Sequence, residues 1–217
     1  MATPLYDETF LSNEALAYIG SPPIPSWNGA SVEAIQCEQL FPLARDMALA
    51  LHDWGFASRD DMLALVAEPE AYTGWDYAYE YPAECLAFRE IIDPATFHAS
   101  YSRGSILHYD KFTPIKWDSK IMIDPGGDKR RIVTNQEEAE GRYTTRIETL
   151  VLWSIPALNA LTCILASKLA IILKGDMARQ KSMFEQALLY SGMAEGQDAS
   201  EQFDQPDDSS ALSKSRM

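Results

Sequence analysis

The sequence predicts an α+β protein: a helical bundle with a small antiparallel β-rich subdomain inserted between the second and third long helices, and an extended C-terminal tail. Three observations predict it. Apolar residues recur at steps of three and four near both ends of the chain, and short β-branched and aromatic runs fill the middle. The last stretch is acidic and almost without apolar side chains. The bundle takes residues 10–66 and 150–195, the acidic-aromatic loop and β-rich subdomain 67–149, and the tail 196–217.

The first helical signal is Asn13-Glu-Ala-Leu-Ala-Tyr-Ile, with Ser12 as its expected N-cap and Gly20 as its stop. Three prolines and Asn28-Gly29 then make a loop, because proline cannot continue a helix and Asn-Gly favours a turn. Ser31 is placed to cap a second, longer helix whose expected buried stripe is Leu40, Leu43, Ala44, Met47, Leu51 and Trp54. Pro42 within it is expected to kink or divide the helix.

Residues 67–84 alternate acids with tyrosines and tryptophan and hold no Lys or Arg. Crowded carboxylates can bind a cation, but no calcium-loop spacing is present, so the expectation is an extended loop with packed tyrosines and solvated acids. Residues 85–149 read as strands, among them runs beginning at Cys85, Ser105, Pro114, Arg130 and Arg142, with Asp124-Pro-Gly-Gly-Asp as a hairpin turn. Nine of the eighteen basic residues fall between Arg103 and Arg146, so the acidity lies elsewhere. Lys129, Arg130 and Arg131 form the one basic cluster. Three adjacent cations there read as a solvated hairpin tip, or as a contact if the hairpin meets an acidic partner.

Residues 155–173 are apolar on all sides, as in a helix buried on most faces. Pro156, Asn159, Ser167 and Lys168 inside it argue against a membrane span, and no membrane association is expected. Gly175 and Asp176 turn the chain into a last helix reaching about Met193, with Met177, Met183, Phe184, Ala187 and Leu188 expected on its buried side. The tail beyond offers only Phe203 and Leu212 as apolar anchors, and is expected to be extended.

A net charge of −14 argues against non-specific grip on nucleic acid, which needs clustered cations. Cys37, Cys85 and Cys163 are too far apart for a zinc motif and odd in number, which fits buried thiols in a reducing compartment. The first residues lack the basic and apolar regions of a secretory signal, so none is expected. No phosphate-binding loop, dinucleotide fingerprint, nucleophile elbow or zinc-protease motif occurs, and His52, His98 and His108 are scattered. Neither catalysis nor a cofactor or metal is expected; the chain is expected to act through its surface.

Three strings carry a resemblance: Ala15-Leu-Ala-Tyr-Ile-Gly-Ser-Pro-Pro-Ile, residues 37–57 from Cys37 through His52-Asp-Trp-Gly-Phe-Ala, and Tyr77-Ala-Tyr-Glu-Tyr-Pro-Ala-Glu-Cys-Leu. With Ile132-Val-Thr-Asn, Tyr143-Thr-Thr-Arg-Ile and residues 158–174, they resemble, in order, the tail tubular protein A family. These are head-to-tail adaptors of short-tailed bacteriophages. Asp53 and Gly55 stand where the family pattern has Pro and Asn, and residues 96–130 do not align. The resemblance implies a virion protein assembled in the bacterial host cytoplasm. It would be one subunit of a homo-oligomeric, twelve-membered ring that joins the portal protein to the tail tube or nozzle protein, while genome DNA passes through without specific binding. On that reading Glu68, Glu70, Asp76 and Glu80 are candidates to line the bore, where negative walls avoid Lys–phosphate barriers. Phe203 and Leu212 are candidates to dock on the portal. Two alternatives remain open from the sequence: a neck or head-completion protein of another tailed phage, and a small acidic binding domain or enzyme.

Overall fold

The computed structural model describes residues 6–66, 74–92, 114–124 and 127–201. Among these the chain is α+β, with four helices and two three-stranded antiparallel sheets.

Helix α1 spans Glu8–Tyr18 and begins earlier than expected. Asp7, not Ser12, is its N-cap: the Phe10 N–H donates to the Asp7 carboxylate at 2.7 Å, and Ser12 is buried inside the helix. Gly20 does end it, at φ +65, with the Ser21 N–H returning to the Leu16 carbonyl at 2.9 Å. The proline loop is stapled to α1 by Asn13, whose amide exchanges two hydrogen bonds with the Ile24 backbone at 2.7 and 3.0 Å. That seats Ile24 in the core.

Helix α2 spans Val32–Leu51 with Ser31 as its cap, as expected. Its buried residues are Ala34, Cys37, Phe41, Ala44, Ala48 and Leu49; of the expected stripe, Ala44 and Trp54 are buried, Leu40, Met47 and Leu51 pack half-buried against the core, and Leu43 is 55% exposed. Small side chains at Ala34, Ala44 and Ala48 favour close helix packing, while Leu40 and Leu51 are only half-buried beside them. Pro42 does not divide the helix. It and Glu38 lie on the exposed side, where the carbonyl deprived of its partner can meet water.

Helix α3, Ile155–Lys174, is the axis of the helical core and contacts α1, α2 and α4. It is long and apolar enough to cross a membrane by length and composition, yet 67% of its most apolar window is buried inside the protein. Of its two buried hydroxyls, on Thr162 and Ser167, the first donates back to the Leu158 carbonyl at 2.9 Å. Gly175 in the left-handed region (φ 64) closes it, with the Asp176 N–H reaching the Ala170 carbonyl.

Helix α4 spans Met177–Glu201, capped by Asp176 through the Arg179 N–H at 2.8 Å. It lies mainly on α3 and buries a narrow stripe centred on Ala187. A one-sided contact of this kind leaves Met177 and Leu188, both expected to be buried, 66% and 45% exposed. The helix also continues into the stretch expected to be extended tail, as far as Glu201.

Among the described residues, six strands lie between α2 and α3 in the sequence: β1 Ser58–Met62, β2 Tyr77–Glu80, β3 Cys85–Ile92, β4 Trp117–Asp124, β5 Gly127–Thr134 and β6 Glu140–Thr145. They form sheets ordered β1-β6-β3 and β2-β5-β4. β1 lies inside the 10–66 stretch assigned to the bundle, so the helical part ends near residue 52 rather than 66. β2 lies inside the stretch expected to be a loop; its Tyr-Ala-Tyr-Glu alternation is a strand pattern. The strand expected from Ser105 lies outside the described residues.

The two sheets share a corner. The Leu63 N–H still bonds to Ala139 on the β6 side, whereas the Val66 N–H bonds to Ala78 and the Glu80 N–H to Ala64. Residues 63–66 therefore cross from one sheet to the other. The sheets enclose a second core of Leu63, Tyr79, Phe88, Ile91, Ile132, Ala139 and Tyr143, distinct from the helical core. Phe88 packs edge-on to Trp117 across it at 4.7 Å.

Gly141 on β6 lies directly under Phe88: an added Cβ would stand 2.6 and 2.8 Å from the ring and 3.0 Å from Leu63. Gly141→Ala is therefore expected to destabilise by about 1–3 kcal/mol through overpacking. Pairing it with Phe88→Leu should recover part of that loss in a double-mutant unfolding cycle. Additive costs would contradict this.

Candidate interaction surfaces

Where the chain leaves the helices and where it returns, the two connections lie side by side. Trp54 is fully buried, donates to the Ala48 carbonyl at 2.9 Å, and packs between His52, which meets it edge-on, and the tilted ring of Phe56. Phe56 meets Trp153 on the returning connection at 5.5 Å. Arg89 on β3 reaches over the end of α2, donating to the Ala50 and His52 carbonyls at 3.2 and 2.7 Å and to Thr144 Oγ1 at 2.9 Å. Arg146 grips Asp46 on α2, with its shortest bond at 2.7 Å, and Arg45 bonds to Glu148 at 3.0 Å. The helical and β parts are thus joined by aromatic packing and three arginines.

On the sheet β1-β6-β3, Arg142 bonds to both oxygens of Asp60 on one side and to Glu90 on the other, at 2.8 to 3.0 Å. These exposed pairs add little stability but fix register on a sheet whose first strand is mostly charged.

The expected hairpin is present: β4 and β5 pair from Trp117↔Thr134 to Asp124↔Gly127, although the intervening turn residues lie outside the described residues. β2 joins β5 only through Arg131 to Thr134. From Gly127 to Arg130, β5 is exposed along its length, and β4 is its one strand partner among the described residues. The hairpin therefore extends beyond its sheet as a two-stranded arm, with Ile121 76% exposed.

The basic triplet straddles the base of that arm. Lys129 and Arg130 are exposed, but Arg131 is 5% exposed and bonds to Glu80 at 3.0 Å, so it is no part of a solvated tip. The point where β2 joins the sheet separates them. Arg130 lies against the ring of Tyr81, 4.1 Å from its centroid, and donates to Ser119. Of the acids proposed for the bore, Asp76 is exposed before β2 and Glu80 is engaged by Arg131; Glu68 and Glu70 lie outside the described residues, as do Phe203 and Leu212.

A second surface lies between α1 and α3, a cleft of about 220 Å³ lined by Tyr6, Phe10, Leu11, Glu14, Ile155, Leu158 and Asn159. Phe10 and Ile155 are 48% and 54% exposed at it. Among the described residues, no group of three or more His, Cys, Asp or Glu side chains is placed to hold a metal ion. Sequence reasoning identified the hairpin and its cations but missed the cleft, which depends on how α1 meets α3.

Three phenols near these surfaces are buried or half-buried. Burial pushes Tyr81, Tyr18 and Tyr143 up to about 12; Tyr81 is raised further by the neighbouring Cys85 thiol, Tyr18 by Glu14 and Tyr143 by Asp61. Because the fold favours the neutral phenol, this stabilisation is complete below the ordinary value of 10.0 and is lost as pH rises through about 12. Absorbance of the ten tyrosines should show a late-titrating group that coincides with loss of the circular dichroism signal. A single step near 10 with the fold intact would contradict this.

Comparison with models of known protein families finds no match, and no curated protein matches the chain.

Proposed function

We propose that the chain is a structural virion protein, a subunit of a head-to-tail adaptor ring of the tail tubular protein A kind. In this reading a helical bundle carries an inserted β-rich subdomain between its second and third long helices, and a C-terminal tail reaches toward the portal. The protein works without chemistry, by mating surfaces and an unobstructed bore. It is assembled in the bacterial host cytoplasm, and its partners are further copies of itself, the portal and the tail tube or nozzle.

The observation that carries this reading is the position of the three resembling strings. Residues 15–24 supply Ala15, Leu16, Ile19 and Ile24 to the helical core, and residues 37–57 supply α2 and the Trp54 junction. Residues 77–86 supply β2 and the start of β3. The likeness thus falls on the helical core, on the junction at Trp54 and on two strands of the β part. The β4–β5 hairpin adds support, since a ring subunit needs exposed surface and Ile121 on it is 76% exposed.

Sedimentation with portal rings encoded by the same genome tests the proposal. The chain should pellet with the portal in a fixed ratio, and removal of residues 202–217 should abolish this without unfolding the rest. A chain that never joins the portal would refute the reading.

A further inference from the structure

We infer that Asn28 is a site of spontaneous chemical modification, where the side-chain amide is lost and an aspartate or isoaspartate takes its place. The site is independent of the ring reading.

The chain has four asparagines, and the structure sets one of them apart. Asn13 lies inside α1, clamped by two hydrogen bonds to the Ile24 backbone, with Glu14 after it. Asn159 lies inside α3, where the nitrogen of the following Ala160 is fixed in helical backbone. Asn135 accepts the Asp76 N–H at 3.0 Å and precedes the bulky Gln136. Only Asn28 combines an exposed position in a turn, a side chain with no hydrogen bond among the described residues, and a following glycine, Gly29.

Each of these differences bears on the chemistry. The Gly29 nitrogen must give its proton to a solvent base and reach Asn28 Cγ, an approach that a Cβ on the following residue hinders and glycine leaves open. A C–N bond then forms, the Cγ–Nδ2 bond breaks, and the amide nitrogen takes up a proton and leaves as ammonia. Water opens the resulting five-membered imide at either carbonyl. One opening restores the ordinary backbone as aspartate; the other routes the backbone through the former side chain as isoaspartate. Water is the only co-reactant, and nothing is oxidised or reduced. The Gly29 N–H bonds to the Ser26 carbonyl at 3.2 Å, the long end of the usual range. Freeing it opens one surface turn and breaks no helix or strand pairing.

The consequence is local. Trp27, just before the site, packs edge-on to Phe41 of α2 at 5.2 Å, and Ser31, shortly after it, caps that helix. Isoaspartate inserts an extra backbone carbon between these anchors and loosens Trp27. Aspartate adds only a charge.

Holding the full chain for days in mildly alkaline buffer, followed by peptide mass spectrometry, tests the assignment. Conversion at Asn28 should outrun that at Asn13, Asn135 and Asn159 by roughly tenfold or more, and should quicken as pH rises. Asn28→Ser, at an exposed turn position, should melt like the parent and remain a single charge form throughout. Tryptophan emission should shift toward that of a wetter indole in the aged parent, but not in fresh Asn28→Asp or aged Trp27→Phe. An intact Asn28 amide after incubation, or equal conversion at all four asparagines, would overturn the assignment and leave the ring reading standing. An aged Trp27→Phe chain that shifts as much as the parent would overturn the loosening of Trp27.

Discussion

Replacing Trp54 with alanine is expected to cost about 3–5 kcal/mol, the usual range for a buried tryptophan. Trp54 is fully buried where α2 gives way to β1, and its ring fills the space between His52 and Phe56. Its removal leaves a cavity beside the Phe56–Trp153 contact and an unpaired Ala48 carbonyl. For a chain of this size the loss lowers the melting temperature by roughly 10 °C or more. Trp54→Phe retains most of the apolar volume and loses the indole bond, so it should cost about 1–2 kcal/mol. Denaturant unfolding of both variants checks the difference. Equal losses would mean that the hydrogen bond, rather than the packing, carries the site.

Arg89→Ala is the second large effect, about 2–3 kcal/mol, because one guanidinium serves two carbonyls at the end of α2 and a threonine hydroxyl on β6. Its loss removes one of the three arginine links between the β part and α2 and weakens their coupling. Unfolding monitored separately by tryptophan fluorescence and helical circular dichroism should therefore change from one coincident transition to two. Arg89→Lys should recover little, since a single ammonium cannot span the fork. Full recovery by lysine would assign the effect to charge alone.

The helices were legible because their punctuation is local: Ser31 caps α2, Gly20 ends α1, and Gly175 with Asp176 separates the last two helices. Which face each helix buries was less legible. α2 buries three alanines with Cys37, Phe41 and Leu49 yet leaves Leu43 exposed, a choice that hydrophobicity alone does not make. The start of α1 was misassigned because Asp7 competes with Ser12 as a cap, and only Leu11, buried ahead of Ser12, decides between them. β1 escaped notice because Arg59, Asp60 and Asp61 look like a loop until Arg142 arrives opposite them from 82 residues away. The hairpin was visible in its turn and β-forming residues. The burial of Arg131 was not, since it follows from where β2 joins β5.

The central claim is that this chain works as a repeating ring element between portal and tail. Electron microscopy of the full chain mixed with portal rings tests it most directly. The account predicts an added layer of density below the portal in side view, with repeated subunits around an open bore in end view. Bare portal rings beside single unassociated copies of the chain would contradict it.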